Sequence, residues 1–533
     1  MKEALVYSLL DSHFAGFLAA RCGLTGRDRQ IFEDLVRDLS ASMAAGNSCL
    51  PVSQRDQEIL AGTSLVSAGE RTPLVVHNGR LYLHRYFAYE SRLAAQIREM
   101  AGLSLPLPDS CALPVASEGA GDGEIDWQSR AAETAIRKAL CIISGGPGTG
   151  KTTTVVRIIG LLQKAAGGRL QIALAAPTGK AAMRLRQSVG SSPEVLPEGA
   201  ALPAQTLHRL LGVRRGSPQF RHCKTNPLPW DVVVVDEASM VDLAMMSKLV
   251  DALKPGSRLI LLGDKDQLAS VESGAVLIDL VRALPDNTVE LQRTYRFDAS
   301  IKLLSLKVNQ GDAEAAWQLL LDPACEHVGL LEKPVQDYAG ERYRPYMDLI
   351  AGQAGPEQVF AAFNRFRILC AVRQGSRGVE GINQSVEQYL GKKGYDCLSR
   401  IWYPGRPVLI TRNDYSLDLY NGDIGICLPY PGDGSPRVWF ERPDGSLKSC
   451  LPYRLPQCET AFALTVHKCQ GSEFDDILVV LPGEDRAVLS RELIYTAVTR
   501  ARKGVLVSAA KEIFAPALAR KIQRFSGLGD MLR

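Results

Sequence analysis

Short apolar runs recur along the chain, and most lead into a stretch whose apolar positions repeat every three or four residues. Ala139 to Ile143 is such a run, and "KTTTVVRIIGLLQKAA" after it has helical spacing. The four valines of "DVVVVDEASM" (231–240), the run in "SRLILLGDKDQLASVESG" (257–274), "FRILCAV" (366–372) and the apolar end of "FALTVHKCQGSEFDDILVVLP" (462–482) read as further strands buried on both faces. "ELIYTAVTRARKGVLV" (492–507) reads as a helix leading into one more. Buried strands alternating with helices predict an α/β protein built on parallel sheets. Two regions break the rhythm. Residues 1–102 carry helical patterning and end in the amphipathic helix "LHRYFAYESRLAAQIREMAG" (83–102), so a helical N-terminal domain is expected. Residues 401–455 hold short strands with Asn421-Gly422 and Asp444-Gly445 at turn positions, predicting a small antiparallel barrel set into an α/β domain.

A chain of 533 residues is too long for a single core. The expected division is a domain over 1–102, a linker over 103–123, where proline and glycine occur without periodicity, an α/β domain over 124–290, and a second over 291–400 and 456–533 with 401–455 inserted. Apolar content of 46% and charged content of 23% are those of a soluble globular protein, and no apolar run approaches the ~18 residues of a membrane span. Glu3, Asp11 and His13 interrupt the first apolar stretch, which favours an amphipathic helix over a signal peptide and a cytoplasmic location. The 12 cysteines include no C-x-x-C pair, so sequence gives no support for a zinc or iron–sulfur site. Net charge is only +4, but residues 161–230 hold ten Lys or Arg (164, 169, 180, 184, 186, 209, 214, 215, 221, 224) against Glu194 and Glu198. That band is either a solvated face or a track for a polyanion.

The chemistry begins at "CIISGGPGTGKT" (141–152). Gly145-x-x-x-x-Gly150-Lys151-Thr152 is a P-loop in the strand–loop–helix context that the motif needs. Gly145, Gly146, Gly148, Thr149 and Gly150 can turn backbone N–H groups toward phosphate oxygens, Pro147 lies in the same nucleotide-binding loop without an N–H of its own, and Thr153 follows in the first helical turn. Lys151 reaches the β- and γ-phosphates of a nucleoside triphosphate, and Thr152 can ligate Mg²⁺. Asp236 and Glu237 follow the four-valine strand at its C-terminal end, where open α/β sheets bind ligands. Asp236 is placed to hold Mg²⁺ and Glu237 to polarise the attacking water; alternatively the pair caps the helix that follows. Gln267, in Gly263-Asp264-x-x-Gln267, is placed to sense the γ-phosphate. Arg296 and Arg500 are candidates for the arginine that meets charge developing on that phosphate from a second domain. "LAAPTGKAA" (174–182) and "TLHRLLG" (206–212) are loops suited to phosphate oxygens of a nucleic acid. In "TVHKCQGS" (465–472), His467 and Cys469 stand at i and i+2, which do not face each other on a helix, so a thiol nucleophile is disfavoured.

Taken in order, "GGPGTGKT", "APTGKAA", "TLHRLLG", "VVVVDEASM", "LLGDKDQLASVESGAVL", "YRF", "TVHKCQGSEFD" and "LIYTAVTRARK" resemble the motifs of superfamily 1 helicases. "NPLPWDVVVVDEASMVDL", "YNGDIG" (420–425) and "GRPVLITRNDYSLDL" (405–419) narrow the resemblance to the helicase subunits of RecBCD-type helicase–nucleases (exodeoxyribonuclease V), over about residue 125 to the end. The resemblance implies two RecA-like motor domains, an SH3-like insert, and an ATP- and Mg²⁺-dependent 5′→3′ DNA helicase that processes double-strand break ends for recombinational repair. It implies a heterotrimer with RecB, which would hold the nuclease site, and RecC, with the N-terminal domain docking on a partner. It further implies that Gln128 reads the adenine, and that Thr178, Gly179, Lys180, Thr206, His208, Thr465, His467 and Gln470 line the single-strand path. Cys469 stands where this family commonly has serine. A stand-alone helicase relative, or a regulatory ATP-binding clamp without processive movement, are the alternatives.

Overall fold

The computed structural model describes residues 6–67, 71–105, 126–190, 202–214, 216–292, 298–414, 416–442 and 445–533. Glu3, Glu194, Glu198, Arg215, Arg296, Asp444 and the expected linker beyond residue 105 lie outside the described residues.

The first α/β layer is a six-stranded sheet in the order Thr288–Leu291, Leu140–Gly145, Arg258–Gly263, Val232–Val235, Ile172–Ala176, Ala204–Thr206, and every neighbouring pair is parallel. Alternate residues of each strand enter different cores. Cys141, Ile143, Val232 and Val234 pack with the helices Trp127–Arg137 and Lys151–Ala165, while Leu140, Ile142, Val233 and Val235 pack with Leu243–Asp251 and Val276–Ala283. A strand covered on both faces has no polar side, which is why these runs are unbroken in sequence. The helix His84–Gly102 belongs to this packing: Leu93, Ala94 and Ile97 are fully buried in the second of the two cores.

A second parallel sheet has the order Val328–Leu330, Ala501–Ser508, Phe474–Val480, Phe366–Cys370, Ala463–Thr465, again with a core on each face. Between its strands the chain makes a five-stranded antiparallel sheet, Leu447–Cys450, Pro436–Glu441, Ile424–Pro429, Pro407–Ile410, Cys458–Thr460. This differs from the expected barrel in two ways. Its outer strands are not paired with each other among the described residues, and Cys458–Thr460 carries it past residue 455 almost into the parallel strand Ala463–Thr465.

The N-terminal region is not purely helical. Helices Leu9–Ala19, Gly26–Ala44 and Gln54–Ala61 pack with a four-stranded sheet, Leu50–Pro51, Arg80–Leu83, Leu74–His77, Val66–Ser67. Asn78 (φ +46°) and Gly79 (φ +71°) make its central turn, a two-residue hairpin of the kind that needs positive φ at both positions. From the second parallel domain the chain runs back across the first and ends in the helix Leu528–Leu532, seated beside His84–Gly102 with Leu528 and Leu532 in the same core. No helix among the described residues is long and apolar enough to cross a membrane.

Candidate active site

The strand Leu140–Gly145 opens into the glycine loop, and Gly148 (φ +76°) and Gly150 (φ +85°) occupy the left-handed region that a side chain would strain. The loop is drawn onto itself: Thr149 Oγ1 donates to the Gly146 carbonyl at 2.8 Å, and a Cβ at Gly145 would lie 2.7 Å from that hydroxyl. Lys151 Nζ donates to the carbonyls of Gly145 (2.6 Å) and Gly146 (2.9 Å), so among the described residues the ammonium lies over the loop with only neutral acceptors. A phosphate oxygen would be a stronger, charge-assisted partner.

Asp236 and Glu237 follow Val235. The helix Leu243–Asp251 is capped by Asp242, whose Oδ1 accepts from Met245 N–H at 2.8 Å, and the short turn Ala238–Met240 has no side-chain cap. The capping alternative for the acidic pair therefore falls away. Desolvation pushes the Asp236 carboxyl up to about 6, the neighbouring Glu237 adds to that, and Lys151 and Arg184 oppose it. Glu237 has φ +52°, a left-handed backbone that costs a non-glycine residue on the order of 1 kcal/mol and tends to occur at functional sites. The Asp236 carboxylate and the Thr152 hydroxyl line one cavity with Lys151; hard oxygen donors in a desolvated pocket fit a divalent cation such as Mg²⁺.

The opposite wall comes from the second parallel domain. Arg500, 2% exposed, donates through Nη2 to Gln267 Oε1 at 2.7 Å and through Nε to the Thr496 carbonyl at 3.1 Å. Gln267 Nε2 in turn donates to Asp264 Oδ2 at 2.9 Å, which also accepts from Tyr495 Oη at 3.2 Å. Lys151, Thr152, Asp236, Glu237, Gln267 and Arg500 thus line a single cavity; Gln128, on the first turn of Trp127–Arg137, is not among its lining residues, and Arg296 lies outside the described residues. Sequence reasoning missed six lining residues, Ala181, Arg184, Leu185, Ser188, Gly471 and Glu473, of which Arg184 and Glu473 are charged. These two side chains pair across the cleft at 2.5 Å, Arg184 Nη1 also donates to the Gly471 carbonyl at 3.0 Å, and Arg502 holds Glu473 from the other side at 3.0 Å. Arg184 stands one turn after Lys180 and could have been read as sharing its face.

Three residues expected on the nucleic-acid path share one local geometry. Thr178, Thr206 and Thr465 each follow or end a parallel strand, and each Oγ1 accepts a backbone N–H three residues on, from Ala181, Arg209 and Lys468, all at 3.3 Å. A hydroxyl that accepts in this way still has its own hydrogen to donate outward. Gly179, Lys180 and Thr206 line a groove closed by Tyr420, Phe440 and Lys448 of the inserted sheet region. Lys180 lies 5.6 Å above the Phe474 ring, and desolvation together with Arg367 and Arg184 pushes its ammonium down to about 8. His208 is exposed, edge-on to Phe220; His467 is half-buried, and burial, with a smaller contribution from Arg524, lowers its pKa. Thr178, His208, Thr465, His467 and Gln470 are not among the residues lining that groove; Gln470 is buried, and its Nε2 donates to the Leu268 carbonyl at 2.9 Å, joining the two α/β domains. Cys469 is fully buried, its Sγ donates to the Val466 carbonyl at 3.0 Å, and burial pushes the thiol up to about 11. It is an inert core thiol.

Residues 128–273 match a family model described as an AAA domain, and residues 460–508 one described as a UvrD-like helicase C-terminal domain. The chain is 40% identical over 498 residues to the RecBCD enzyme subunit RecD of Mycolicibacterium smegmatis, covering 91% of this chain and 88% of that protein. To the subunit of the same name from Haemophilus influenzae it is 37% identical, covering 76% and 72%. To the ATP-dependent RecD2 DNA helicase of Deinococcus radiodurans it is 30% identical, covering 94% and 69%. Among solved structures, Bacteroides Pif1 bound to ssDNA matches at 17% identity over 73% of this chain and 93% of that chain, with a TM-score of 0.43.

Proposed function

Because this chain belongs to the RecD family of RecBCD-enzyme helicase subunits, we propose that it is the 5′→3′ motor of a helicase–nuclease assembled with RecB and RecC and acting on duplex DNA ends. It is an ATP-dependent DNA helicase. On ATP binding, Lys151 exchanges the carbonyls of Gly145 and Gly146 for the β- and γ-phosphates, while Gly146 and Gly148 to Thr153 supply N–H groups and Gln128 contacts the adenine. Thr152 and Asp236 would hold Mg²⁺, which when bound neutralises phosphate charge. Glu237 orients the attacking water and receives its proton, Gln267 reports the γ-phosphate, and Arg500 with Arg296 meets charge that builds up as the bond breaks. Thr178, Gly179, Lys180, Thr206, His208, Thr465 and His467 hold the single strand, and alternate closing and opening of the cleft moves it.

The observation that carries this reading is the hydrogen bond from Arg500 to Gln267. A side chain of the second parallel domain already reaches a group of the first beside the P-loop, so occupancy of the cavity and the angle between domains are one variable. The test is unwinding of a short duplex with a 5′ or a 3′ tail by the full-length chain, alone and with RecB and RecC. ATP-dependent unwinding from the 5′ tail is expected, and Glu237→Gln should bind ATP and DNA yet hydrolyse at least about a hundredfold more slowly. Unwinding from the 3′ tail would reverse the polarity, and undiminished hydrolysis by Glu237→Gln would remove that residue from the chemistry.

A further inference from the structure

The loop from Asp264 to Gly274 follows the strand Arg258–Gly263 and meets four parts of the molecule. Gln267 faces the nucleotide cavity and accepts from Arg500. Leu268 joins the second parallel domain twice: its N–H donates to Thr496 Oγ1 at 2.9 Å, and its carbonyl accepts from Gln470. Ser273 Oγ donates to the Met43 carbonyl at 3.2 Å and Gly274 N–H to that of Gly46 at 2.9 Å, both in the N-terminal region. Between these contacts the carbonyls of Ser270, Glu272 and Gly274 converge on one guanidinium, that of Arg524, which donates to Glu272 at 2.9 Å, to Gly274 at 3.2 Å and to Ser270.

Arg524 has no carboxylate partner within ion-pair distance among the described residues, and burial lowers its pKa. A half-buried cation without an anion gains no ion-pair energy to offset the water it has lost. What only a guanidinium supplies is a rigid planar fork, which fixes several acceptors relative to one another. The segment that delivers it is tied at both ends. Arg520 is bonded to Asp485 and to the Leu489 carbonyl, while Phe525 N–H donates to Asn47 Oδ1 at 2.7 Å and Gly527 N–H to Glu90 Oε2 at 3.1 Å.

We propose that Arg524 is a positioning residue for ATP hydrolysis, acting through Gln267 by fixing the loop that presents Gln267 to the nucleotide cavity and Leu268 to the second domain. This rests on the reading of Gln267 given above. The test is DNA-stimulated ATP hydrolysis by the full-length chain. In Arg524→Gln, kcat falls about tenfold or more, as for a catalytic group displaced by a fraction of an ångström. The Kd for a fluorescent ATP analogue stays within about twofold, because the P-loop is untouched. Arg524→Lys recovers part of the loss. Gly46→Ala, whose new Cβ would lie 2.8 Å from Arg524 Cζ and whose backbone at φ +89° strains under any side chain, perturbs the guanidinium and the Gly46–Gly274 contact together from the N-terminal side and lowers kcat in the same way. With Arg524→Lys it carries the test should Arg524→Gln fail to fold. The decisive readout is the double variant: Gln267→Ala with Arg524→Gln is no slower than Gln267→Ala alone. Losses that multiply, or an unchanged kcat in both Arg524→Gln and Gly46→Ala, overturn the proposal. Absence of DNA-stimulated hydrolysis in the unaltered chain overturns the functional reading and this one with it; normal hydrolysis there beside an unaffected Arg524→Gln overturns this one alone.

Discussion

An ammonium desolvated over an aromatic ring, with two guanidinium groups nearby, loses its proton more readily than one in water, and Lys180 is in that position. Its pKa near 8 leaves it mostly charged at pH 7 and mostly neutral at pH 9, while a phosphate beside it would hold the proton on. Affinity for a single strand should therefore fall between pH 7 and pH 9 by about tenfold, as read by fluorescence anisotropy of a labelled oligonucleotide. Lys180→Met should bind more weakly at pH 7 and lose most of that slope; a slope unchanged in the variant would assign it to another group. Residues of this kind were legible in the sequence where their neighbours in space are also neighbours in the chain. The P-loop, the acidic pair after four valines and the three strand-end threonines all act within a few residues of themselves. The pairing of Arg184 with Glu473 was not legible: Arg184 could be read only as one of a basic band on the face of Lys180, and the fold alone brings Glu473 to it across the cleft. Cys469 and Gln470 were legible as a motif but not in direction: whether a side chain faces the groove or the core is decided by the turn Val466–Cys469.

At the scale of elements, the buried parallel strands were the easiest to read, since covering both faces leaves an unbroken apolar run. The N-terminal hairpin was harder. Leu74–His77 and Arg80–Leu83 are four residues each, too short for alternation to stand out from helical spacing, and Asn78-Gly79 between them was the available signal. The helix Leu528–Leu532 is too short to hold its shape alone, so its surroundings keep it. One of those surroundings is Glu90, which is fully buried and accepts hydrogen bonds from Ser48, Ser526 and the Gly527 N–H. Burial raises its carboxyl to about 6 in spite of those donors. The sign follows from proton binding. Between about pH 4.5 and 6 the folded chain holds the proton more tightly than the unfolded chain, so stability falls as pH rises through that window, by about 2 kcal/mol in total. Glu90→Gln should flatten the dependence of the melting temperature on pH between 4.5 and 6.5, in comparison with the unaltered chain. Asp236, Asp279 and Asp423, raised in the same way, keep the remainder of the slope; a slope as steep as that of the unaltered chain would mean that the Glu90 carboxyl is not buried in solution.

At the scale of the whole molecule, the polar contacts that join the two parallel domains near the nucleotide cavity include Arg500 to Gln267, Tyr495 to Asp264, Thr496 and Gln470 to Leu268, and Arg184 to Gly471 and Glu473. Polar contacts of this kind can be exchanged for water, which suits a joint that must open and close. The Arg184 pair is largely buried, with 28% and 10% of the two side chains exposed, but Arg502 still holds Glu473 when Arg184 is removed, so Arg184→Ala should leave the fold intact but widen the nucleotide-free cleft, seen as a larger radius of gyration in solution scattering. Adding Glu473→Ala should widen it no further, and additive changes would show that the two side chains act separately. The path of residues 520–533 back to the first sheet could not be inferred from sequence, because nothing local distinguishes a segment that seals a distant seam from a loose end. That path has a consequence in time. Ser48 bonds to Phe525, 477 residues later, and Leu528 and Leu532 complete a core begun by Leu93 and Ile97. At ribosomal rates of ~5–20 residues per second, roughly half a minute to a minute and a half separates the synthesis of the two sides. Through that interval the nascent first domain carries an unfilled apolar seam, a surface for chaperones to occupy, and a chain broken off before residue 525 keeps that seam open for as long as it exists.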